Sequence, residues 1–106
     1  MLDLETDNDW QRILGEDLVV IFKHSPICAL STRALPHIRR FEEQCPEVPV
    51  YRVDVIRQRK LAGRIAEELG VRHESPQVIV LIAGEPSWHA SHRDVTTEGL
   101  ATAIAS

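Results

Sequence analysis

No stretch of this chain is apolar for long enough to cross a membrane. The strongly apolar runs Leu18 to Phe22 and Val78 to Ala83 are five and six residues long, against the roughly 20 that a spanning helix needs. They read as strands, and no membrane partner is expected. An excess of positive charge is also missing: 12 Lys and Arg face 16 Asp and Glu, for a net charge of -4. The basic residues are interleaved with acids, so nucleic acid is not an expected partner. The opening residues Met1 to Asp7 are acidic and carry neither the basic nor the apolar region of a secretory signal, and the expected location is cytoplasmic. Cysteine is scarce, with two residues in 106, and in a cytoplasmic setting these are expected as free or reactive thiols rather than a disulfide. Repeats, low-complexity stretches and linker-like segments are absent. With 43% hydrophobic and 26% charged residues, residues 1–106 are expected to form one globular domain.

What is present is an alternation of helical and strand patterns. Asp7 or Asn8 is placed to cap a helix with Trp10, Ile13 and Leu14 on one face, ended by Gly15. Leu18 to Phe22 is apolar throughout and rich in β-branched residues, as a central strand buried on both faces requires. A polar break from Lys23 to Pro26 follows. Leu30, Ala34, Ile38, Phe41 and Cys45 then recur at steps of four, four, three and four, predicting a long amphipathic helix. Pro36 predicts a kink in its second or third turn, and Cys45-Pro46 its end. Val48 to Val55 alternates valines with Tyr51, Arg52 and Asp54, a second strand with its polar side outward. Leu61, Ile65 and Leu69 predict a third helix capped by Gly70. Val78 to Ile82, the turn Ala83 to Pro86 and Ser87 to Ser91 read as a hairpin, and Leu100, Ala103 and Ile104 close the chain with a helix capped by Thr96 or Thr97. The predicted order is αβαβαββα, an α/β domain with a central mixed sheet flanked by helices.

One residue stands where chemistry is favoured. Cys28 lies between the polar break and the start of the long helix, off its apolar stripe. Free amides and the positive end of the helix dipole there favour a thiolate, the nucleophilic form of cysteine, and predict a lowered pKa. Three residues on, Ser31 offers a hydroxyl to the same sulfur from the first helical turn. Cys28-Ala29-Leu30-Ser31 is a CxxS sequence, which keeps the attacking thiol and lacks a second one. Cys45 lies 17 residues further along one helix, roughly 25 Å away, whereas a disulfide needs Cα atoms within about 7 Å. It reads as a small hydrophobe near the helix end.

Cys28 at a helix start after a buried strand, together with Ser75-Pro76 just before a later strand, resembles the thioredoxin superfamily. That resemblance covers nearly the whole chain, and it implies a thioredoxin-like domain in which Cys28 faces a cis-proline, Pro76. Phe22-Lys23-His24-Ser25, Cys28 to Ser31, Val71 to Gln77, Trp88 to His92 and Val95-Thr96, in that order, are similar to the YtxJ-type monothiol bacilliredoxins. The resemblance implies a thiol-disulfide oxidoreductase with no bound cofactor. Its co-substrate would be the low-molecular-weight thiol bacillithiol, which it removes from S-thiolated client proteins through Cys28. Ser31 would hydrogen-bond the thiolate, and the Ser75 backbone, held by Pro76, would dock the partner by strand-like contacts. His24 and His73 flank the proposed site as substrate-binding candidates that would raise the thiolate fraction or relay a proton. Thioredoxins themselves usually carry a buried acid six positions before the nucleophile and Trp directly before it. Phe22 and Ile27 occupy those positions here, which argues against a general dithiol thioredoxin.

Competing readings attach to the same residues. Cys28 is alternatively an inert core cysteine, Ser31 a serine serving only the helix end, and Pro76 an ordinary trans proline opening a strand. His89 and His92 are three apart on a predicted strand and point to opposite faces, so no metal is expected. Cys28 to Arg33 resembles a phosphatase loop but has one residue too few and no glycine. The alternatives for the whole protein are a non-catalytic thioredoxin-like module that holds an extended peptide at Ser75-Pro76, or the same chemistry with glutathione or coenzyme A as the carrier.

Overall fold

The computed structural model describes residues 1–105. Its elements are β1 (Leu2–Asp3), α1 (Asp7–Ile13), β2 (Leu18–His24), α2 (Ala29–Gln44), β3 (Val50–Asp54), α3 (Arg59–Leu69), β4 (Gln77–Ile82), β5 (Glu85–Ser91), a 3-10 turn (His92–Asp94) and α4 (Thr97–Ala105). The αβαβαββα order holds, with β1 added at one edge. The sheet runs β1-β3-β2-β4-β5. β1, β3 and β2 are mutually parallel, while β4 is antiparallel to both β2 and β5.

The apolar pattern explains this layering. β2 is central, and its odd residues Val19 and Ile21 join Trp10 and Ile13 of α1 and Leu61, Ala62 and Ile65 of α3 in one core. Its even residues Val20 and Phe22 join Ala34, Ile38 and Phe41 of α2 and Leu100 of α4 in a second core on the other face. Both faces are covered, so strands here are buried twice. This corrects the outward placement of Tyr51: it is 8% exposed, packs with the α1 and α3 side, and its hydroxyl donates to Glu16 Oε2 at 2.8 Å.

Other boundaries differ for local reasons. Lys23 and His24 are not a break but the end of β2, because β3 and β4 continue beside them, pairing Lys23 with Val53 and with Gln77. Thr6, rather than Asp7 or Asn8, caps α1: its hydroxyl accepts from Asp9 N–H at 3.0 Å while the Asp9 carboxylate accepts from Thr6 N–H at 3.2 Å. α2 passes through Pro36 as one helix. Pro36 lies exposed, where the carbonyl it orphans can meet water, and the stripe of Ala34, Ile38 and Phe41 holds the turns on the sheet. Gly70 caps α3 with a left-handed φ of 67°, and Thr96 caps α4 by accepting Gly99 N–H at 3.0 Å.

Candidate functional site

The site forms at the end of the sheet where β2 leaves and β4 enters. Antiparallel pairing of Lys23 with Gln77 sets the C-terminal end of β2 beside the N-terminal end of β4. From the first the chain turns into α2 through Cys28, and Pro76 immediately precedes the second.

Cys28 is the N-cap of α2, with extended backbone (φ -103°, ψ 124°), and is half-buried. Its N–H donates to Ser25 O at 3.2 Å, and its carbonyl accepts from Thr32 N–H at 3.0 Å. The sulfur faces the first helical turn. Its pKa is held below the ordinary thiol value chiefly by the Ser31 N–H. Burial opposes this, and the Leu30 N–H and the Ser31 hydroxyl add to the lowering. Ser31 is fully buried, and its Oγ accepts the Ser25 N–H at 3.1 Å. That bond occupies a lone pair and leaves the hydroxyl proton for the thiolate.

The Ser75–Pro76 peptide is cis. The Pro76 carbonyl accepts from His92 N–H at 2.8 Å, which ties the loop before β4 to the turn after β5. His92 is therefore not on the strand with His89 but opens the 3-10 turn, with a positive φ of 56°. Ser75 is half-buried, and among the described residues its main-chain N–H and C=O make no hydrogen bond.

The two histidines proposed beside the thiol lie on opposite faces of the sheet. His24 is buried against Phe22, ring centroids 5.3 Å apart, on the α2 side. Among the described residues its Nδ1 has no hydrogen-bond partner, and it lines a cavity of about 260 Å³ together with Pro26, Arg52, Asp54 and Arg57. Burial lowers its pKa, with the Arg52 charge adding to this and Asp54 opposing. His73 is exposed on the loop that leads to Ser75, and its Nδ1 lies 3.3 Å from Lys23 Nζ. Partial desolvation of the ring lowers its pKa first, and the Lys23 charge second. Among the described residues neither ring hydrogen-bonds Cys28.

Lys23 itself was missed. It is fully buried, and desolvation brings its pKa down to about 8, against the opposing pull of Glu74. Gln77, its partner across the strands, donates from Nε2 to Arg72 O at 2.9 Å and to Ser91 Oγ at 3.3 Å, while its Oε1 has no partner among the described residues. The available signal was the lack of Gly or Pro before Pro26, which leaves β2 free to run on past Phe22. Cys45 is the C-cap of α2, half-buried against the α2-side core, at the far end of the helix from Cys28. Among the described residues no group of three His, Cys, Asp or Glu is placed to hold a metal ion.

Comparison with known proteins gives this arrangement a context. A solved protein described by its thioredoxin fold superposes with a TM-score of 0.91 at 28% identity, covering 97% of this chain and 92% of that one. Thioredoxin from Fasciola hepatica gives 0.79 at 20% identity, covering 99% and 97%. Thioredoxin from Trypanosoma brucei brucei gives 0.80 at 18%, covering 99% and 91%. These likenesses establish a thioredoxin fold. The family profile described as monothiol bacilliredoxin BrxC matches residues 2–100. With its thioredoxin fold and a thiol at the head of α2, the chain belongs to the monothiol bacilliredoxin BrxC family of thiol-disulfide oxidoreductases.

Proposed function

We propose that the protein removes a low-molecular-weight thiol, bacillithiol, from mixed disulfides on client proteins. The observation that carries this reading is Cys28 at the N-cap of α2, its pKa lowered by two amides and one hydroxyl of the first turn. The Cys28 thiolate attacks the bacillithiol sulfur of a client–S–S–bacillithiol bond. A Cys28–bacillithiol disulfide forms, the client disulfide breaks, and the client leaves as a thiolate that takes a proton from water. Redox equivalents are conserved: Cys28 is oxidised as the client sulfur is reduced. Ser31 cannot displace the carrier, so a second thiol attacks the Cys28 adduct, restoring the thiolate and leaving as a disulfide with the carrier.

Client docking follows from Ser75. Its unpaired main-chain groups, on a loop held by the bond from His92 N–H to Pro76 O, suit an extended segment added strand-wise. His73, exposed on the same loop, is available to the client or the carrier, whereas His24 contributes from the cavity beside Pro26. The test is incubation with a bacillithiolated protein, followed by intact mass. The expected outcome is a free client thiol and one bacillithiol adduct on Cys28. Transfer undiminished in Cys28→Ala overturns the proposal, and parallel adducts of glutathione and coenzyme A decide the carrier by relative rate.

A further inference from the structure

Along α2, beyond the thiol, lies a second cavity of about 210 Å³, lined by Leu30, Arg33, Ala34, His37, His92, Arg93 and Val95. Its floor is apolar, with Ala34 and Val95 buried, and Arg33, His92 and Arg93 stand exposed around its rim. No acid lines it, in a chain whose net charge is -4. Among the described residues neither Arg33 nor Arg93 makes an ion pair, so no carboxylate of the chain occupies either guanidinium. His37 adds a fixed donor. Its Nδ1 accepts the Thr97 N–H at 3.1 Å, so the proton of the neutral ring sits on Nε2.

The cleft also adjoins the site. Leu30 and Arg33 lie two and five residues from Cys28 on the same helix, about 3 and 8 Å along its axis. His92, on the opposite wall, is the residue bonded to Pro76. A small molecule with its sulfur at Cys28 and an anionic end directed along α2 would meet both arginines.

We propose that this cleft is the carrier subsite, holding the carboxylate-bearing end of the low-molecular-weight thiol whose sulfur is exchanged at Cys28. The assignment rests on the reading given under Proposed function and extends it from chemistry to recognition. Planar guanidinium groups suit carboxylates, and the apolar floor suits the linking carbons.

The test compares two mixed disulfides on one client, one with bacillithiol, which bears carboxylates, and one with uncharged 2-mercaptoethanol. Wild type should prefer the first, and this preference, the ratio of the two kcat/KM values, should fall about tenfold or more in Arg33→Ala/Arg93→Ala. Lysine at both positions should recover part of it, and Arg40→Ala, an exposed change on α2 outside the cleft, should retain it. Equal losses for both adducts would mean that the arginines read an acidic client surface, and would overturn the subsite, as would no loss. A second readout separates this from failure of the parent reading. Oxidised bacillithiol titrated into Cys28→Ser protein should shift the amide resonances of Arg33, His92 and Arg93. Such binding without any transfer by wild type would uphold the cleft and overturn the enzymatic reading. No shift at these residues would overturn the cleft even if transfer occurs.

Discussion

At Cys28 the strongest influence on the thiol is a main-chain group. The Ser31 N–H lowers the pKa most, and the Ser31 hydroxyl contributes least of the three donors. The rate of Cys28 alkylation should therefore rise with pH and level off earlier than for an unperturbed thiol, because the thiolate fraction saturates above its pKa. Ser31→Ala should move that midpoint up while leaving it below the ordinary value, since both amides remain. It should also cost about 1 to 3 kcal/mol of stability, because the buried Ser25 N–H loses its acceptor. A midpoint unchanged in Ser31→Ala would remove the hydroxyl from the proposed mechanism.

Lys23 makes the opposite demand. Below pH about 8 the folded protein carries a buried ammonium that the unfolded chain holds in water, so the desolvation cost is complete. From there up to 10.5, the ordinary lysine value, the folded side chain is neutral and only the unfolded chain stays protonated, so stability rises with pH. Lys23→Met should accordingly stabilise the protein at pH 7 by up to about 3 kcal/mol, a gain that shrinks through this interval. Removing the Lys23 charge should also raise the His73 pKa toward its usual value, leaving the lowering due to partial desolvation. Denaturation at several pH values and the His73 ring resonances check the two halves separately.

Among the elements, those with strong periodicity were legible in the sequence and those defined by neighbours were not. Gly70 after the Leu61, Ile65, Leu69 stripe announced the end of α3, and the CxxS spacing placed Ser31 on Cys28's turn. β1 has two residues and no period; it exists because Leu2 and Asp3 pair with Tyr51 and Arg52. The burial of Lys23 and Tyr51 depends on strands and helices distant in sequence, which alternation along one segment does not encode. The hydrogen bond from His92 to Pro76 is of the same kind. The β4–β5 turn lies between these cases. Ala83 and Gly84 both have positive φ, 51° and 80°, as a two-residue hairpin turn requires, and a Cβ at Gly84 would stand 2.8 Å from the Leu14 carbonyl oxygen. Gly84→Ala should therefore cost about 2 kcal/mol or more, while Ala83→Gly should be neutral or stabilising. Chemical denaturation of the pair tests whether the turn or only its sequence neighbourhood matters.

For the whole molecule, the distance between its two thiols decides how a catalytic cycle must end. Cys28 and Cys45 cap opposite ends of the 16-residue α2, and Ala34, Ile38 and Phe41 fix the helix between them in the core. Bringing the two within the roughly 7 Å that a disulfide allows would mean unfolding α2. Exposure to excess bacillithiol disulfide should therefore add one carrier per chain, on Cys28, with no internal disulfide and with Cys45 left free against the core. Ser31→Cys changes this without changing the fold, because a thiol at that buried position sits on the first turn beside Cys28. The variant should resolve its own adduct, release the carrier and end two hydrogens lighter by intact mass. Cleavage of the adduct from wild type should then scale with the concentration of an added second thiol, while carrier release from Ser31→Cys should not. A wild-type adduct that clears without added thiol would overturn the one-thiol cycle.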